Sequence, residues 1–257
     1  MSVKAKKHLG QHFLTDENIA RKIVEGLSFE NYTNIMEVGP GMGVLTKYLL
    51  EKDQNVYLAE IDNESIEYLK NNYSKITENT FVGDFLKQDF NFIKDEQIAI
   101  IGNFPYNISS QILFQIVDHY ELIPEMVGMF QKEVAERTAA VPRTKDYGIL
   151  SVLIQAYYDV SYLFTVHENV FNPPPKVKSG VIRLTRNPKE GLSGNETLFK
   201  QIVKAGFNQR RKKLSNALKT LNIPEALKTH EFLDKRAEEL SVSDFIAFTS
   251  LWKENQS

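Results

Sequence analysis

The chain contains no cysteine among its 257 residues. That removes disulfides, thiol nucleophiles and cysteine-built zinc sites, and makes a cytoplasmic location the expectation. Histidine is scarce too: His8, His12, His119, His167 and His230 fall at no metal-ligand spacing, so no metal is expected. No apolar run is long enough to cross a bilayer, and the basic amino terminus leads into Gly10-Gln11-His12-Phe13 instead of the apolar core of a secretory signal. An excess of either charge is also missing overall, since 31 basic and 33 acidic residues leave a net value of only −2. That balance hides a local patch: Lys200, Lys204, Arg210, Arg211, Lys212, Lys213 and Lys219 follow one another with no acid between them.

What is present is an alternation of strand-like and helix-like stretches. Apolar runs predict strands at residues 34–38, 56–61, 80–82, 98–101, 126–130, 160–164 and 180–185. Helical periodicity separates them, with Thr15 or Asp16 capping the first helix and further helices over 44–52, 63–73 and beyond Gly148. Such alternation predicts an α/β fold with a parallel, doubly wound sheet. Residues 187–191 and 193–195 read as a linker, and the remainder reads as helices only, the last capped by Ser243. The expected organisation is a catalytic domain over 1–190 and a small all-helical domain over 191–257.

Three strand-end features point to chemistry. Glu37-Val38-Gly39-Pro40-Gly41-Met42-Gly43 ends the first strand, and Glu60 ends the second, 21 positions after Gly39. This spacing suits a nucleotide-binding βαβ unit whose acid accepts ribose hydroxyls. The glycines run G-x-G-x-G, and Pro40 withdraws an amide where a pyrophosphate would need one, which argues against a dinucleotide. A cofactor with ribose but no phosphate fits better, and S-adenosylmethionine is one. Asp84, after the third strand, is placed to accept an adenine amine. Asn103-Phe104-Pro105-Tyr106 then follows the buried run 98–101 at the carboxyl edge of the sheet, where α/β proteins bind ligands. The Asn103 carbonyl can accept one hydrogen of an exocyclic amine, Pro105 biases Phe104 to an extended backbone that aims its carbonyl at the other, and Tyr106 can stack on a flat base. Read singly, each of these is also compatible with ordinary turns and solvated acids.

Taken together, Gly10-Gln11-His12-Phe13-Leu14, Glu37-Val38-Gly39-Pro40-Gly41, Glu60, Gly83-Asp84-Phe85, Asn103-Phe104-Pro105-Tyr106, Phe171-Asn172-Pro173-Pro174-Pro175-Lys176-Val177 and Gln209-Arg210-Arg211-Lys212 give a chain that resembles the ribosomal RNA adenine N6,N6-dimethyltransferases over nearly its whole length, most of all their bacterial small-subunit branch. The resemblance implies a Rossmann-like S-adenosylmethionine-dependent methyltransferase fold. It implies a cofactor site of His12, Leu14, Gly39, Gly41, Glu60, Asp84, Phe85 and Asn103. It also implies that Asn103, Phe104, Pro105 and Tyr106 hold the target adenine, with Phe171 on its other face. The family pattern is departed from at Phe104, where leucine is common, and at His12, where many relatives carry asparagine.

The expected activity is dimethylation of two adjacent adenines in the 3′-terminal hairpin of small-subunit rRNA, with an assembling small subunit as partner, no membrane, and a monomeric chain. Alternatives are the same chemistry on large-subunit rRNA, a non-catalytic nucleic-acid-binding factor on this fold and, more distantly, a nicotinamide-dependent oxidoreductase. Arg210, Arg211, Lys212 and Lys213 are either a solvated helix face or a phosphate contact, the second being favoured because Leu214 and Leu218 supply an apolar side for docking. Phe171 is either a core aromatic or a stacking surface, and its proline frame favours stacking. Lys4, Lys6 and Lys7 are a mobile tail or a second RNA contact.

Overall fold

In the computed structural model, residues 3–94, 96–187, 192 and 194–256 are described. Eight strands form: β1 Phe13–Leu14, β2 Asn34–Val38, β3 Asn55–Ala59, β4 Ile98–Asn103, β5 Glu125–Gln131, β6 Tyr158–Val166, β7 Phe171–Asn172 and β8 Ser179–Arg186. The helices are α1 Glu17–Val24, α2 Thr46–Leu49, α3 Asn63–Asn72, α4 Ser109–Asp118, α5 Lys132–Ala139, α6 Ile149–Gln155, α7 Glu196–Asn208, α8 Leu214–Ala217 and α9 Val242–Glu254. One six-stranded sheet has the order β3-β2-β4-β5-β8-β6. The pairs β2/β3, β2/β4 and β4/β5 are parallel, which puts the ends of these four strands along one edge. This is the Rossmann-like α/β class that the strand and helix alternation predicts. The sheet is mixed, however, because β8 runs antiparallel to β5. On its other side β8 neighbours β6, and the chain between those two contains only a 3-10 turn, Glu168–Val170, and the two-residue β7, too little for the crossover that a parallel connection between them requires.

Central strands show the continuous burial of a sheet covered on both faces: all five residues of β2 and Ile98, Ala99, Ile100 and Ile101 of β4 are buried. Asp16 caps α1 by accepting the amide hydrogens of Asn18 and Ile19. After α1 the chain is fastened to β5 by one buried carboxylate. Glu125 accepts from the Ser28 amide at 2.9 Å, the Ser28 hydroxyl at 2.8 Å and the Tyr32 hydroxyl at 2.9 Å.

Two expected elements change. The strand over 80–82 reduces to a single bridge between Leu58 and Phe81, because Thr77 and Thr80 bond to one another in a local cap that competes with a ladder. The last helix is capped by Ser241 instead of Ser243. Ser241 Oγ accepts from the Asp244 amide and the Asp244 carboxylate accepts from the Ser241 amide, a reciprocal box that Ser243 has no partner to make.

The chain divides into two compact units, one running to Glu136 and including Val160–Arg186, the other containing Arg137–Asp159 and the chain from Asn187 on. The return near Asn187 lies close to the expected boundary after residue 190, and residues 188–191 and 193 of the expected linker fall outside the described residues. Arg137–Asp159, expected in the first domain, packs with the carboxyl-terminal helices instead. Its Tyr147 hydroxyl donates to the Leu240 carbonyl at 3.0 Å, its ring lies 5.8 Å from that of Phe207, and the Arg143 amide donates to the Glu238 carbonyl at 2.8 Å. The core of this unit includes Phe199, Ile202, Phe245, Phe248 and Trp252, all fully buried. Among the described residues, no helix is long and apolar enough to cross a membrane.

Tyr32→Phe removes a donor to Glu125 and an acceptor for the Phe29 amide. It is expected to lower stability by about 1–2 kcal/mol, read as a shift of the urea unfolding midpoint at unchanged slope.

Candidate active site

The strand order reverses between β2 and β4, since β3 lies on one side of β2 and β5 on the far side of β4. Open α/β sheets bind ligands in the crevice that such a reversal leaves at the carboxyl ends. A cavity lies there, lined by the ends of β2, β3 and β4, by Gly83-Asp84-Phe85, and by the amino-terminal arm at residues 8–13.

The loop after β2 is built on glycines with positive φ, +68° at Gly39 and +55° at Gly41. A side chain at Gly41 would meet the Phe13 ring at 2.8 Å, so this position is closed to anything larger. The loop is tied to the end of β3 by Glu60. Its Oε2 accepts from the Gly41 amide at 3.2 Å, and its Oε1 accepts from the amides of Ile61 and Asp62, each at 2.9 Å. A carboxylate has about four acceptor directions, so three donors leave one for a ligand in the cavity. Burial pushes the Glu60 carboxyl above its usual range, opposed by these same amides. Beside it Ile61 is an apolar side chain left 58% exposed at the cavity rim. Asp84 caps a 3-10 turn, one oxygen accepting from the Leu86 amide at 3.1 Å while Lys87 stands 3.6 Å from the other. Gly83, with φ +79°, has nothing within 4 Å of where a Cβ would stand, so the wall there is main chain only.

At the end of β4, Asn103 Nδ2 donates to the His12 carbonyl at 2.8 Å. A carbonyl only accepts, so the amide is oriented with nitrogen toward His12, and Oδ1 is left as the acceptor. His12 also reaches the proline loop, its Nδ1 donating to the Pro173 carbonyl at 2.8 Å. The His12 ring stacks on Tyr106 with centroids 5.4 Å apart and planes at 29°. Tyr106 is fixed in turn by a 2.6 Å hydrogen bond between its hydroxyl and that of Ser179. Phe104 follows another course. Its ring is buried against Phe130, in space cleared by Gly102 and Gly128, where a Cβ would fall 2.8 Å and 2.0 Å from it. Phe104 therefore offers the cavity only its main chain.

His12, Gly39, Gly41, Glu60, Asp84, Phe85, Asn103, Phe104, Pro105 and Tyr106 all line this one cavity. Leu14 and Phe171 do not. They face each other across the β1/β7 pair and are both 4% exposed in the hydrophobic core with Ile23, Ile35 and Ile101. Phe171 is thus buried in this core and does not line the cavity, where its proline frame led to a stacking surface being expected. Ile61 and Asn107 also line the cavity and Ser179 holds Tyr106, none of them singled out by the sequence, although Ile61 directly follows the strand-end acid; Gln11, quoted there within a motif, was given no role. The residues that line the cavity suit S-adenosylmethionine: an acceptor for ribose hydroxyls, a second acid for an amine, an apolar rim, and glycine walls without a phosphate-binding amide at Pro40.

Arg210, Arg211, Lys212 and Lys213 lie in the turn between α7 and α8, not on a helix face. Arg210 is structural: Nε pairs with Glu238 at 2.5 Å, and its two terminal nitrogens donate to the Thr144 and Lys145 carbonyls at 3.0 and 2.8 Å. Lys213 pairs with Asp234 at 2.9 Å, whereas Arg211 and Lys212 are exposed. The amino-terminal arm is likewise no tail, since Lys6 is paired with Asp62 and Glu64.

Behind the loop, burial pushes the Glu37 carboxyl up to about 8, with a Thr46 hydroxyl bond at 2.6 Å opposing the shift and Glu60 adding to it. The folded chain holds this proton up to about pH 8, while the unfolded carboxyl releases it near 4.5. The native state thus binds more protons in that window, and stability falls as pH rises through it. Glu37→Gln should flatten the decline, measured as urea midpoints at both ends of the window; parallel curves for the two proteins would assign the proton elsewhere.

Residues 2–252 match the family model described as ribosomal RNA adenine dimethylase. The chain is 57% identical over 248 residues to a Flavobacterium johnsoniae protein named ribosomal RNA small subunit methyltransferase A, covering 96% of this chain and 95% of that one. A Cytophaga hutchinsonii protein of the same name is 56% identical over 251 residues, covering 97% of each. Among solved structures, a dimethyladenosine transferase from Plasmodium falciparum superposes with a TM-score of 0.83 at 25% identity, over 95% of this chain and 98% of that one. The 23S rRNA methyltransferase ErmE superposes at 0.71 and 23% identity, over 94% and 99%, a likeness of fold. With a family match spanning nearly every residue and a cavity of the required chemistry at the switch point of its sheet, the chain belongs to the ribosomal RNA adenine dimethylases, methyltransferases that draw on S-adenosylmethionine.

Proposed function

We propose that the protein dimethylates the N6 amines of two adjacent adenines in the 3′-terminal hairpin of small-subunit rRNA, acting as a cytoplasmic monomer on an assembling small subunit. The observation that carries the chemistry is the fixed Asn103 amide, whose nitrogen is committed to His12 and whose oxygen is left to accept. The choice of the small subunit is supported by the names of the relatives at 57% and 56% identity.

S-adenosylmethionine, when bound, supplies an electrophilic methyl group on a sulfonium. The chain binds it by main chain at Gly39 and Gly41, by the remaining acceptor direction of Glu60 for ribose hydroxyls, and by Asp84 for the adenine amine, with Ile61 and Phe85 as apolar surface. The target adenine must leave its stack to enter such a site, and the Tyr106 ring offsets part of that unstacking. The N6 lone pair is delocalised into the base and is a weak nucleophile. Asn103 Oδ1 accepts one N6 hydrogen and the Phe104 carbonyl the other, which favours a localised pair facing the methyl donor. Two acceptors replace a strong general base, and burial raises the pKa of the Tyr106 hydroxyl, opposed by its bond to Ser179. Transfer forms the N6–methyl bond as the sulfonium–methyl bond breaks with its electron pair returning to sulfur, and the resulting cationic nitrogen releases one proton to water. The neutral amine then retains one hydrogen and a lone pair, so the same groups serve a second transfer once the cofactor is exchanged. Arg211 and Lys212 supply phosphate contacts that position the RNA without reading its sequence.

The test offers methyl-labelled S-adenosylmethionine with undermethylated small subunits and, separately, with protein-free large-subunit RNA, followed by nucleoside mass spectrometry. N6,N6-dimethyladenosine from the small subunit alone is the expected result. Label in the large-subunit RNA alone would move the protein to that substrate, and label in neither, with cofactor binding intact, would make it a binding factor.

A further inference from the structure

Asp62 does not line the cavity, yet it is the most heavily bonded side chain near it. It is 2% exposed. Its Oδ1 accepts from Lys6 Nζ at 2.5 Å and the Glu64 amide at 3.2 Å, and its Oδ2 accepts from Gln11 Nε2 and the Ser65 hydroxyl, both at 3.2 Å. Its own amide donates to Glu60 Oε1. Lys6 closes the arrangement from the arm side, with its ammonium 3.1 Å from Glu64 and its amide donating to Gln11 Oε1 at 2.8 Å.

One buried carboxylate thus grips the arm at two points, Lys6 and Gln11. The residues between them include His8, Leu9 and Gly10, which form one wall of the cavity, and the next residue is His12, whose carbonyl orients Asn103. The grip also has a reason to be releasable. The Lys6 side chain is 29% exposed, so its pairing is open to water, whereas Asp62 is sealed.

We propose that Asp62 is a positioning residue that clamps the amino-terminal arm over the cofactor cavity through Lys6 and Gln11, and so sets cofactor affinity without touching the cofactor. The proposal rests on the reading of the cavity as an S-adenosylmethionine site. Two transfers to one adenine need two cofactor molecules in succession, and a clamp made by a partly exposed lysine permits the arm to loosen between them.

Asp62 also caps α3, and its removal would damage the helix as well as the clamp. The diagnostic variants of the full chain are therefore Lys6→Ala, which spares the cap, and Lys6→Arg, which keeps the charge. Two quantities are measured: backbone hydrogen exchange of residues 8–12 without cofactor, and the calorimetric Kd for S-adenosylhomocysteine. In Lys6→Ala, exchange in the arm should rise about tenfold with α3 and β3 unchanged, Kd should weaken by about three- to tenfold, and kcat at saturating cofactor should stay within about twofold of the parent. Lys6→Arg should restore most of each. Unchanged arm exchange in Lys6→Ala overturns the clamp, whether or not affinity falls, because an affinity loss alone would mean a direct charge effect. Failure of the parent protein to bind S-adenosylhomocysteine would overturn the cavity reading instead, while the exchange arm of the experiment still decides the clamp.

Discussion

Two parallel strands lying side by side, whose connections leave in opposite directions, open a crevice at their carboxyl ends. In this protein β2 and β4 are that pair, and the candidate site depends on them. The glycine loop leaves β2, Asn103 closes β4, and Glu60 stands at the end of β3 one strand away. Because these strands are buried on both faces, their ends are held rigidly, and groups on three distant parts of the chain meet without a long loop to place them.

Main-chain amides do most of the local fixing. Glu60 accepts three of them and Asp84 one, so the two acids expected to face the cofactor are aimed by the backbone before any ligand arrives. The same economy appears at Asn103, where a single bond to His12 decides which end of the amide is offered. Preorganisation of this kind removes the need to orient polar groups during the reaction. It also couples the amino-terminal arm to the end of the cavity formed by Asn103 and Tyr106, since His12 holds Asn103, stacks on Tyr106 and reaches the proline loop at once.

Much of this was legible in the sequence, for physical reasons. Continuous apolar runs such as residues 98–101 mark central parallel strands, and the acid after the second strand and the amide after the fourth stand at fixed places relative to those runs. Facing was less legible. Phe171 and Leu14 sit in motifs that touch the site, but period-two alternation in a two-residue strand does not reveal which side is core. Arg210 reads as one cation among four, and only the fold brings Glu238 and the Thr144 and Lys145 carbonyls around it. The bond between Lys6 and Asp62 joins residues far apart in the chain and leaves no local pattern. The place of Arg137–Asp159 in the helical unit was hidden for the same reason, since its contacts with Glu238 and Leu240 are all long-range.

The most direct measurement is a paired one on Asn103→Ala: single-turnover methyl transfer to small-subunit RNA alongside the calorimetric Kd for S-adenosylhomocysteine. If Asn103 Oδ1 localises the N6 lone pair, transfer should fall by about 10²-fold or more, the scale of losing a preorganised polar contact to the reacting group. The Kd should weaken far less, through the lost bond to His12 alone. Transfer that persists near the parent rate with affinity unchanged would contradict the assignment of Asn103 as the group that readies the amine.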